Sequence, residues 1–85
     1  MARYYLDLLN GNGLTRDEEG QEAPDDDAAR ALAVDSIRSV LSSEVRAGVL
    51  DLCGHIEIRR DTGDPVMHIA FEDALTVRRA GEGSR

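Results

Sequence analysis

The sequence predicts an α+β domain of ββαββ order, in which two hairpins form a four-stranded antiparallel sheet with one long helix packed on one face. Three observations carry this reading. Apolar residues recur with a period of two near both ends of the chain and with a period of 3.6 in the middle. Asn-Gly pairs and a "DTGDP" run interrupt the two alternating stretches. Pro24 and Gly48 bracket the helical one, as a helix start and stop require.

"RYYLDLL" alternates, with Tyr4, Leu6 and Leu8 on one side and Arg3, Tyr5 and Asp7 on the other. "NGNG" at 10–13 supplies the positive φ values of a tight turn, and "LTRD" is the returning strand. Two overlapping Asn-Gly pairs leave the register of this hairpin open. From Asp25 to about Ala47, Ala29, Leu32, Ala33, Ile37, Val40, Leu41 and Val45 form one stripe. A helix of about 22 residues is roughly 33 Å long and overhangs a seven-residue strand of roughly 23 Å. Its last turn, after Ser42-Ser43, is expected to fray or bend away. "VLDLCG" connects it, with apolar content to bury, to a second hairpin of "HIEIRRD" and "VMHIAF". Ile56 and Ile58 face the core from one strand, and Met67, Ile69 and Phe71 from the other. Keeping both sets on one face requires the numbers of paired residues to add to an odd sum, which a four-residue loop at 62–65 provides, setting His68 opposite Arg59. The ordered domain is expected to span 1–77, with a loose tail at 78–85.

Eighty-five residues make one domain with a thin core, served by only three aromatics, Tyr4, Tyr5 and Phe71. Small cores of this kind gain stability by self-association, so a homodimer is expected. The net charge of −7 is local. Residues 17–27, "DEEGQEAPDDD", hold seven acids and no base, while the rest of the chain balances ten acids against ten arginines. No basic stripe draws nucleic acid directly. Arg3 and Asp7 interrupt any apolar leader, and no apolar run is long enough to span a membrane. One cysteine, Cys53, cannot form an internal disulfide, so a cytoplasmic location is expected.

The acidic stretch reads chiefly as a helix start. Asp25 is a natural N-cap, and Asp26 and Asp27 oppose the positive end of the helix dipole. A calcium loop begun at Asp17 would need an acid at position 5 and Gly at position 6, where Gln21 and Glu22 stand. Asp17, Glu18, Glu19, Glu22, Asp26 and Asp27 offer instead a surface for a basic partner. His55 and His68 share the outer sheet face, but the expected register separates them by roughly 13 Å, too far to share a zinc ion. Ser36, Ser39, Ser42 and Ser43 lie on the helix without a nucleophile elbow or a placed base, and no phosphate loop is present. No enzyme activity, cofactor or metal is expected. Tyr5, Leu9, Val66, His68 and Ala70, interleaved with Arg3, Glu57 and Arg59, face away from the helix. This face is read either as simply solvated or as a dimer contact, with Tyr5, Leu9, Val66 and His68 as its dimer face.

"RYYLDLLNGNG", "RDEEGQEAPDDDAARALA" and "IEIRRDTGDPVMHIAFEDAL" together resemble a family of short uncharacterised alphaproteobacterial proteins, a domain of unknown function. The resemblance runs from Arg3 to about Val77 and implies a small domain standing alone, without assigned catalytic residues. A fainter similarity runs to HicB-type antitoxins, which also place a hairpin ahead of an alanine-rich helix entered through an acidic stretch. This chain departs from them by its second hairpin and by lacking an appended DNA-binding segment. The expected function is a non-enzymatic, self-associating interaction domain. The alternative is an antitoxin-like or nucleic-acid-mimicking inhibitor that covers a basic protein with residues 17–27.

Overall fold

The alternating start of the chain is a nine-residue strand, β1 (Ala2–Asn10), in the computed structural model, which describes residues 1–11, 13–78 and 80. Tyr4 and Leu6 are buried on its helix side, as the alternation requires. Asn10 pairs with Gly13 and Leu9 with Leu14, which fixes the register of the first hairpin. The returning strand β2 is only Gly13–Thr15 and does not continue through Arg16 and Asp17.

A third strand, β3 (Gln21–Ala23), then pairs with the other half of the same flank of β1, Ala2 opposite Ala23 and Tyr4 opposite Gln21. The antiparallel sheet thus has five strands where four are expected. The physical reason is local. Three residues are too few to display a period, and Ala23 is the single apolar side chain that β3 buries. Between β2 and β3, residues 16–20 leave the ladder, and Asp17 replaces it with its own side chain. The Leu6 and Gly20 N–H groups donate to the Asp17 carboxylate at 3.1 and 2.9 Å. A strand edge that loses its backbone partner is satisfied in this way by a carboxylate.

Helix α1 (Asp26–Arg46) begins as expected, with Asp25 accepting the Ala28 N–H at 2.8 Å. Ala29, Ala33, Ile37 and Leu41 are buried at a spacing of four. The two alanines let the helix lie close to the sheet. The end differs from expectation: the helix stays regular to Arg46 and does not fray or bend after Ser42-Ser43. Val45, expected on the buried stripe, is more than half exposed, as are Val49 and Leu50 of the connector; the connector therefore buries less than expected, and Leu52 is the residue there that packs against the core.

Strands β4 (His55–Arg60) and β5 (Pro65–Ala70) complete the sheet in the order β2-β1-β4-β5, with β3 beside β1. Ile56, Ile58 and Ile69 fill the core beneath Ile37 and Leu41. Phe71 is buried but lies in a 3-10 turn, Phe71–Ala74, and not on the strand itself. Its N–H donates to the Gly54 carbonyl at 2.8 Å, and Arg38 Nε donates to the Ala74 carbonyl at 2.7 Å, tying the turn to helix and sheet.

The second hairpin closes earlier than expected. Gly63, at φ +93°, donates its N–H to the Arg60 carbonyl, while the Arg60 N–H donates to Asp64. This is a tight turn closed by a left-handed glycine. The register slips at a bulge between Ile58 and Arg59. His68 therefore pairs with Glu57, not with Arg59. The displacement is two residues, so every side chain away from the bulge keeps its expected face. Of the expected tail, residues 79 and 81–85 lie outside the described residues.

Candidate functional site

The sheet face away from α1 carries Arg3, Tyr5, Asp7 and Leu9 from β1, His55, Glu57 and Arg59 from β4, and His68 and Ala70 from β5. Tyr5, Leu9 and His68 thus share the open face as expected. Val66 does not fully join them, because it is the extra residue at the bulge and packs against the core.

Asp7 is the buried charge at the centre of this face. Its carboxylate accepts Arg59 Nε at 2.6 Å and Nη2 at 3.2 Å, and the Asp17 N–H at 2.9 Å. Arg59 holds the Asp7 carboxyl below the usual carboxylate range, burial opposes the shift, and the Asp17 N–H adds to it. Asp7 in turn raises the Arg59 guanidinium above its ordinary value. That guanidinium also lies 5.1 Å from the Tyr5 ring centroid, a cation–π contact.

Beside this pair, a second group converges. His68 Nδ1 is 2.6 Å and His55 Nε2 3.5 Å from Glu57 Oε2. The two imidazole rings stack, with centroids 4.2 Å apart. The expected separation of roughly 13 Å between these histidines at strand spacing is overturned by the earlier turn and the bulge. The signal that could have found the cluster is "DTG" read as a three-residue turn, together with the i, i+2 spacing of His55 and Glu57.

The acidic stretch is largely committed to the fold. Asp17 braces β1, Asp25 caps the helix, and Glu22 pairs with Arg3 at 3.2 Å. Asp26 accepts the Tyr4 hydroxyl at 2.7 Å and Arg60 Nη2 at 3.2 Å. Glu18, Glu19 and Asp27 have exposed side chains. The Asp26 hydrogen bond, followed by burial, raises the Tyr4 phenol above its ordinary value. An absorbance titration at alkaline pH is therefore expected to show a phenol ionising late, and Tyr4→Phe should abolish that late step. A titration unchanged by the substitution would remove the bond from this account. Cys53 is exposed, and a hydrogen bond and charge from Asp51 raise its thiol, which disfavours the reactive thiolate.

Among the described residues, no helix is long and apolar enough to cross a membrane. A family model described as a domain of unknown function (DUF6894) matches residues 3–72. No curated protein and no solved structure matches the chain.

Proposed function

The chain belongs to this family of domains of unknown function, and from that premise we propose a role read from its own surfaces: a non-enzymatic cytoplasmic interaction domain whose partner is a second copy of itself. The observation that carries this is the side of the sheet that the helix leaves uncovered, half-buried Tyr5 and Ala70 beside exposed Leu9. The helix covers one face, and the other presents Tyr5, Leu9 and Ala70 among Arg59 and His68. Tyrosine and arginine beside aliphatic side chains are interface material. Charge fits the same occupant. Most anions of this face are neutralised on it, Glu22 by Arg3 and Asp7 by Arg59, with Glu57 held between two histidines, so two copies can approach with less repulsion than a net charge of −7 suggests. A cytoplasmic setting is supported by a single cysteine without an internal partner.

The inhibitor reading draws on less. Asp17, Glu22 and Asp26, three of the six acids that would cover a basic protein, are engaged within the fold.

Light scattering after size exclusion is expected to give about twice the 9.3 kDa chain mass at high concentration. Leu9→Glu, at a residue 38% exposed, should return the protein to one chain without unfolding it. A wild-type monomer at roughly millimolar concentration would defeat the proposal.

A further inference from the structure

We propose that His55, Glu57 and His68 form a binding site for a borderline divalent transition-metal ion of the zinc class on the open face of the sheet. One ligand atom from each residue lies within 4.8 Å of the other two. Zinc holds nitrogen and oxygen donors at about 2.0–2.1 Å, which places tetrahedral donors about 3.3 Å apart. The separations of 2.6 and 3.5 Å from Glu57 Oε2 bracket that value. An ion would take the place of the contact between His68 Nδ1 and Glu57 Oε2, with small side-chain rotations.

Donor chemistry selects the class of ion. Two imidazoles and one carboxylate suit zinc and its first-row neighbours. Calcium and magnesium demand a shell of oxygens that this cluster lacks. Position supports the same reading. All three ligands stand on paired residues of two hydrogen-bonded strands, a rigid mounting that holds donor geometry better than a loop does. The side chains are 24%, 43% and 55% exposed for His55, Glu57 and His68, so an ion can enter and water can fill the remaining coordination positions. Asp7 sits across from Glu57 but is committed to Arg59, so its charge is already neutralised.

As a plain ion pair, the arrangement contributes little, since exposed carboxylate–imidazole contacts are screened by solvent. Two stacked rings presenting nitrogen to one carboxylate oxygen make better sense as ligands. The ligands all come from one chain, but His68 also stands on the face proposed for self-association, so the two proposals are separated by reading zinc affinity and oligomeric state in the same variants.

The test is a competition titration of the full-length chain with zinc against a chromophoric chelator. One ion per chain is expected to bind with a roughly micromolar dissociation constant. His55→Ala, His68→Ala and Glu57→Gln should each weaken binding by at least about tenfold. Cys53→Ser should leave it unchanged. Unaltered circular dichroism of the variants would show that the fold survives. Absence of saturable binding up to about 100 µM zinc would overturn the site. So would retention of affinity in the doubly substituted His55→Ala/His68→Ala protein, or its loss on Cys53→Ser. Light scattering with and without chelator separates this outcome from that of the dimer.

Discussion

Gly54→Ala is expected to destabilise the domain by about 2 to 3 kcal/mol, the cost of forcing an extra methyl into filled space. A Cβ at this position would lie 2.6 Å from the Leu9 carbonyl oxygen and 2.7 and 2.8 Å from two carbons of the Phe71 ring. The carbonyl is backbone of the central strand and cannot move without disturbing the β1–β4 ladder. Phe71 cannot swing away either, because it is buried and its N–H is bonded to the Gly54 carbonyl. For a domain of this size the loss corresponds to a fall in Tm of roughly 10–20 °C. Phe71→Leu in the same background should recover part of it by removing the ring, leaving the backbone clash. A Gly54→Ala protein that melts within about 2 °C of wild type would show that the Leu9–Gly54–Phe71 junction is not tightly packed.

Asp7→Ala is expected to cost about 2 kcal/mol, less than the 3–5 of a fully buried broken pair because Arg59 remains 26% exposed and can turn to water. The loss has two parts, the bidentate contact with Arg59 and the acceptor for the Asp17 N–H that holds residues 16–20 in place. The pH dependence follows from the lowered Asp7 pKa. A carboxyl that is more acidic in the folded state contributes fully above its ordinary range, and that contribution disappears as pH falls through the lowered value. Tm measured against pH should therefore decline on the acid side, and more gently in Asp7→Asn than in wild type. Equal acid limbs in the two proteins would refute the linkage. Combining Asp7→Ala with Arg59→Ala should cost clearly less than the two separate losses together, because the pair is coupled.

What the sequence discloses of this fold depends on how far each feature relies on local period. The alternation at Tyr4, Leu6 and Leu8 and the stripe from Ala29 to Leu41 are local, and both are legible. Membership of the open face is legible for Tyr5, Leu9 and His68, since a shift of two residues leaves parity intact. The same shift decides whether His55 and His68 stand apart or stack, and it is set by Gly63 and a bulge that no periodicity encodes. Strand β3 escapes notice because three residues with one buried alanine carry no pattern. Asp25 announces itself as a cap. The service of Asp17 to β1, and of Asp26 to Tyr4 and Arg60, depends on chain segments that meet only after folding.

The divided margin of the sheet has a consequence for solubility. Beside β1 the border consists of two three-residue pieces with residues 16–20 looped out between them, and the opposite border opens with Pro65 and a bulge. Neither side offers the long, straight row of free amides and carbonyls on which strands from other molecules add one after another. Fibrillar growth along the hydrogen-bonding direction is thus discouraged at both rims.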